Sequence, residues 1–147
     1  MTASLQNGAL HQSGEAPRLT GMAEAVLHEV ADLLATFAQT GAPGAIDLTS
    51  IPLTREDRAE LERRLGRGEV EATLAAAGRS ELWETVYAGV WWVRHYGEGD
   101  KVATESIEIT RCPQILSSHP DDMRAAVARL SQDLESFAFD VNASPDA

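Results

Sequence analysis

Four histidines and a single cysteine are the residues of this chain best suited to metal binding, nucleophilic attack or proton transfer. His11, His28, His95 and His119 fall in four separate stretches, and none repeats at metal-site spacing. Glu24 and His28 stand four apart on one predicted helix face. They could share a metal, but no second ligand pair accompanies them, and a surface ion pair is the commoner outcome. His95 with Glu105 or Glu108 could form an acid–base group across strands, although a plain cross-strand polar pair explains the same residues. Cys112 precedes Pro113, close to Arg111 and to a helix start near His119, a weak version of the setting that activates a thiol. A buried structural cysteine is the simpler reading. The glycines of LGRGEV and YGEGD precede strands and so cradle no phosphate. From the residues alone, no catalytic or metal site emerges and no cofactor is implied.

The elements that must position these residues are easier to read. Residues 1–18 lack periodicity and are expected to be a flexible lead-in. Met22, Val26, Val30, Leu33, Leu34 and Phe37 then mark the apolar stripe of a helix over 20–39, stopped by Gly41. Residues 45–48 suggest a short strand. A second helix follows Thr54 as N-cap with Asp57 at the third helical position, and only Leu61 and Leu65 form its apolar seam. From residue 68 to 110 the period changes to two. Strands are expected near 70–76, 81–87, 89–96 and 101–110, as an antiparallel meander with a turn or bulge at Gly89. A last helix begins near His119 and Pro120, and Met123, Val127, Leu130, Leu134 and Phe137 make the stripe expected to be buried. Residues 140–147 are expected to fray. The predicted fold is a single α+β domain over 19–139, about four antiparallel strands with two to three helices packed mainly on one face.

Within that meander, Trp91 and Trp92 are adjacent on a strand and must point to opposite faces. Ile107 and Ile109 share one face of the next strand, while Thr104, Ser106 and Glu108 share the other. One indole therefore joins the isoleucines and its neighbour the polar set. The expectation is that one of the two is exposed and, with Trp83, Tyr87 and Tyr96, forms a contact surface, since Trp and Tyr are favoured interface anchors. The alternative is that the second helix, the 45–48 strand or the lead-in covers the second ring.

The chain has 147 residues, 44% of them hydrophobic, and a net charge of −11. That length fits one domain with a real core. The acidity and the lack of a Lys/Arg cluster argue against a nucleic-acid partner, and none is expected. Arg63, Arg64 and Arg67 alternate with Glu60, Glu62 and Glu69, a mixed and solvated face. No apolar run approaches the roughly 18 residues of a membrane helix. The N-terminal stretch lacks the pattern of a secretory signal, and one cysteine suits a reducing compartment, so a cytoplasmic location is expected.

The ordered segments LGRGEV (65–70), SELWET (80–85), GVWWVRHY (89–96) and TESIEI (104–109), with IDLTSIPLT (46–54) and CPQIL (112–116), resemble the C-terminal region of the HupH/HyaF hydrogenase-expression proteins. The resemblance covers roughly residues 20–136. It rests most specifically on Gly66, Gly68, Glu69 and Val70, followed by Glu84 and Thr85 and by Gly89, Val90, Trp91 and Trp92. Members of that family are often about twice as long and carry proline where this chain has Ala88. The resemblance implies an accessory chaperone in maturation of a nickel–iron uptake hydrogenase, assisting assembly of its iron–sulfur small subunit. The implied partners are that subunit or other maturation proteins. It brings no catalytic residues, so Gly66, Gly68, Glu69, Trp83, Glu84, Tyr87, Gly89, Trp91, Trp92 and Tyr96 are expected as contact or fold determinants. Two rivals remain: a small enzyme or redox protein using Cys112 or His95, and a homo-oligomeric scaffold.

Overall fold

The computed structural model describes residues 18–75 and 77–143, so the expected lead-in, apart from Arg18, lies outside the described residues. The described residues form two compact units, divided between Thr110 and Arg111. In the first, a helix α1 (Met22–Thr40) leads to strand β1 (Gly44–Asp47), helix α2 (Arg55–Leu65) and strands β2 (Glu71–Leu74), β3 (Ser80–Glu84), β4 (Val90–Tyr96) and β5 (Val102–Ile109). The strands form one antiparallel sheet in the order β1-β5-β4-β3-β2. The α+β class is as the sequence predicts. The fifth strand is the 45–48 segment, which pairs with β5 and places Ile46 opposite Ile107.

Register settles the tryptophan question. Trp83, Trp92, Ile107 and Ile46 lie in one cross-strand row, each opposite the next. This row packs against Ala23, Val26 and Val30 of α1 and Leu61 and Leu65 of α2. Trp92 thus joins the isoleucines, and its ring stacks on Trp83 with centroids 5.7 Å apart and planes 7° from parallel. Trp91 points the other way, between Glu84 and Glu108. Yet Trp91 is only 4% exposed and Trp92 is 0% exposed. The expectation of one solvent-facing indole is therefore overturned. β4 is the central strand, and on Trp91's face its neighbours Leu82 and Val93 are also buried. The Trp91 indole N–H donates to the Thr110 carbonyl at 3.1 Å, which satisfies its polar end.

Helix α2 starts as its sequence dictates. The Thr54 side chain accepts from the Asp57 N–H while the Asp57 carboxylate accepts from the Thr54 N–H, a full capping box. Asp57 also accepts from the Thr20 N–H at 2.8 Å and from the Thr20 hydroxyl at 2.5 Å, and the Thr54 hydroxyl donates to the Arg18 carbonyl. The cap thereby pins residues 18–20, the approach to α1, onto α2.

The second unit holds α3 (Pro120–Asn142), capped by the His119 imidazole, which accepts from the Asp121 N–H. Its first turn carries Pro120, Asp121 and Asp122, as expected. One expectation is corrected here. No residue of α3 is buried, so the stripe of Met123, Val127, Leu130, Leu134 and Phe137 stands exposed. The helix also continues to Asn142 through the start of the expected frayed tail, of which residues 144–147 lie outside the described residues.

The cap has a pH signature. The Thr20 hydroxyl, opposed by burial and joined by the Thr20 N–H and by Thr54, lowers the Asp57 carboxyl from 3.8 to about 2. A folded-state pKa below the unfolded one gives stabilisation that is complete above about pH 4 and is lost as pH falls through about 2. We expect Asp57→Asn to lower the melting temperature at pH 7 and to flatten the wild-type loss of stability between pH 4 and pH 2. Equal losses in both proteins would assign the acid sensitivity to other carboxylates.

Candidate functional site

The polar half of the helix-covered sheet face is organised around one carboxylate. Glu105 is buried on β5 and accepts from Arg94 Nε of β4 at 2.6 Å, from Arg58 of α2 at 2.5 Å and from the Trp92 indole at 2.9 Å. Its own N–H donates to the Thr49 hydroxyl. Burial opposes the charge on Arg94, but the hydrogen bond and charge of Glu105 outweigh it and raise the guanidinium pKa. Arg94 reaches Glu62 at 3.4 Å and lies over the Trp83 ring, with Arg67 over the same ring 3.8 Å from its centroid. Among the described residues the Trp83 indole N–H is the one buried side-chain polar atom without a hydrogen-bond partner.

The motif glycines and the β3–β4 turn form a corner beside this stack. The Gly68 N–H donates to the Glu84 carbonyl at 2.7 Å, the Glu84 N–H to Val70, and the Val86 N–H to Leu65. A Cβ on Gly68 would stand 2.7 Å from the Thr85 carbonyl oxygen and 3.1 Å from that of Glu84, so glycine is required by backbone proximity. Gly66 has φ +62° and ends α2 against Val86. Across the turn, Gly89 at φ +84° donates its N–H to the Glu84 carboxylate at 3.0 Å, and the Thr85 hydroxyl both accepts from the Tyr87 N–H and donates to the Tyr87 carbonyl. The corner is thus locked by its backbone, while Val70, Val86 (59% exposed) and Tyr87 (51% exposed) project from it.

Of the residues singled out in the sequence, Gly66, Gly68, Glu84, Tyr87 and Gly89 come together in this corner, and the exposed Glu69 lies in its loop. Trp83 and Trp92 form the stack beneath the guanidinium groups, and Trp91 is on the opposite face. Tyr96 is elsewhere: its hydroxyl donates to Glu81 and Arg79 lies over its ring. Glu105, considered in the sequence only as a partner for His95, pairs instead with Arg94 and Arg58, which the sequence reading did not single out. Their signal was parity, because Glu105 shares its strand face with Ile107 and Ile109, and Arg94 shares its face with Trp92.

The chemical candidates are dispersed. His95 pairs through Nδ1 with the Ser80 hydroxyl at 2.7 Å, and register sets it opposite Thr104, on the other face from Glu105. Cys112 is exposed, against the expectation of a buried thiol. Glu24 and His28 are exposed neighbours on α1, with Nε2 and a carboxylate oxygen 3.8 Å apart. Among the described residues there is no group of three or more His, Cys, Asp or Glu placed to hold a metal ion, and no helix long and apolar enough to cross a membrane.

The fold and the motif corner define an α+β domain of the hydrogenase-expression class. Residues 21–137 match the C-terminal conserved region of the HupH hydrogenase expression protein, and the chain belongs to that family. It is 29% identical over 123 residues to the hydrogenase expression/formation protein HoxQ of Azotobacter vinelandii, covering 82% of this chain and 44% of that one. It is 30% identical over 115 residues to the hydrogenase expression/formation protein HupH of Rhodobacter capsulatus, covering 78% and 42%. The chain therefore spans less than half the length of these relatives. A solved structure of the hydrogenase expression protein HupH from Thiobacillus denitrificans ATCC 25259 superposes with a TM-score of 0.76 at 38% identity, covering 80% of this chain and 98% of that one.

Two substitutions test the geometry. Gly68→Ala forces carbon into two carbonyl oxygens and should cost roughly 1–3 kcal/mol in urea denaturation. A smaller loss would mean the corner yields easily. Glu105→Ala leaves Arg94 and the Trp92 N–H without their buried acceptor, and a loss of about 3 kcal/mol or more is expected. A change below about 1 kcal/mol would show that the network is dispensable.

Proposed function

We propose that this chain is an accessory protein in maturation of a nickel–iron uptake hydrogenase, assisting assembly of the iron–sulfur small subunit by protein–protein contact. Membership of the HupH family and the names of the relatives as hydrogenase expression/formation proteins support the maturation role. The observation that carries a contact mechanism is the corner itself. Its motif residues make a rigid backbone whose apolar side chains point outward instead of into the core. Preorganised apolar groups bind at a reduced ordering cost. The three tryptophans are buried and do not reach that surface. Tyr87, with Val86 and Val70, takes their place on the proposed surface. The acidic surround of a chain with net charge −11 would tune the association rate more than the affinity.

The test is co-purification of the small subunit, before and after it receives its clusters, with the wild-type chain and with Val86→Ser/Tyr87→Ala. Both positions are exposed, so the variant should keep its circular dichroism and melting temperature. Loss of two anchor contacts should weaken binding roughly thirtyfold, equivalent to about 2 kcal/mol. Undiminished capture by the folded variant would move the contact surface elsewhere. Failure of the wild-type chain to capture the subunit at either stage would end the small-subunit reading.

A further inference from the structure

Helix α3 is amphipathic but buries none of its residues. Met123, Val127, Leu130, Leu134, Phe137 and Val141 are each between 54% and 68% exposed. They follow one another at steps of four, three, four, three and four residues. That alternation is the 3.5-residue period of a helix-pairing seam, with Val127, Leu134 and Val141 at one core position of the heptad and Met123, Leu130 and Phe137 at the other. The flanking positions include Ala126, Ser131 and Ala138, small enough to let a second helix approach.

We propose that α3 is a self-association helix, pairing through this seam with α3 of a second copy of the chain. The area fits that occupant. At roughly 100 Å² for each large side chain at such exposure, six residues withdraw about 600 Å² per copy and about 1,200 Å² for the pair, the lower bound for a specific, stable interface. A matching heptad seam is what an identical helix supplies by symmetry, since a two-fold pair brings the same patch from both sides. The area at that lower bound makes the pair reversible and concentration-dependent. The two copies are also both strongly acidic, so screening of their repulsion by salt should strengthen the pairing.

Sedimentation equilibrium on the full chain, in a Cys112→Ser background, reads the association directly. The expected result is a monomer–dimer equilibrium that shifts toward dimer from low to moderate salt, and that Leu130→Asp/Leu134→Asp abolishes. All altered side chains are exposed, so the fluorescence of the buried tryptophans should be unchanged and would report any unfolding. To fix the seam itself, Leu134→Cys should crosslink two copies on oxidation, while Gln132→Cys, on the outer face of α3, should not. A chain that stays monomeric at high concentration overturns the proposal. So does a dimer that survives the double substitution, or one in which the two cysteine variants crosslink equally, because either places the interface away from the seam.

Discussion

The carboxylate of Glu105 is the interaction on which the rest of this fold turns. Helix α2 buries little apolar surface, chiefly through Leu61 and Leu65, and apolar area alone gives it a weak hold on the sheet. Glu105 adds what is missing. It draws Arg58 of α2 down to β5, holds Arg94 of β4 over the Trp83 ring, and receives the indole N–H of Trp92. A buried ion pair can often be exchanged for hydrophobic residues without loss. Here the exchange would also strand an indole donor inside the core, and an unmet buried donor costs about 1–3 kcal/mol. The charge and the tryptophan stack therefore depend on each other. Trp92 can be central because Glu105 accepts from it, and Glu105 can be buried because two guanidinium groups meet it.

That mutual dependence explains which parts of the molecule were legible in the sequence. The α2 cap was readable because Thr54 and Asp57 act within one turn of chain. The helix over Met22–Thr40 was readable because its stripe repeats over five turns. The register was not. The GEGD turn closes through a short 3-10 segment with Gly99 and Asp100 at positive φ, and the β4–β5 ladder shifts between His95 and Tyr96. Neither feature is encoded by alternation. Strand β2 was overestimated for a related reason. Val70 fits the alternating pattern but belongs to the exposed corner, and the strand proper spans only Glu71–Leu74 at the sheet edge.

The misplaced tryptophan patch has an instructive cause. The face opposite the helices was judged polar from Thr104, Ser106 and Glu108 on β5 alone. On the neighbouring strands that same face carries Leu82, Val93 and Trp91, all buried. A sheet face is a property of several strands in register, so one strand's composition describes only its own column. The three tryptophans expected at a contact surface belong to the buried interior, while the motif glycines shape the corner from which Tyr87 projects.

The shape of that surface follows from the glycines. At Gly68 the chain from α2 passes so close to the carbonyls of Glu84 and Thr85 that no side chain fits between them. This contact fixes the β3–β4 turn against the end of α2, and the Glu84 carboxylate, bonded to the Gly89 N–H, closes the turn from the other side. Motif residues with no exposed chemistry of their own thus determine the direction in which Val86 and Tyr87 point. A partner that recognised this corner would be reading two side chains placed by a hydrogen-bonded backbone. In such a site, specificity resides in placement more than in the chemical character of any single residue.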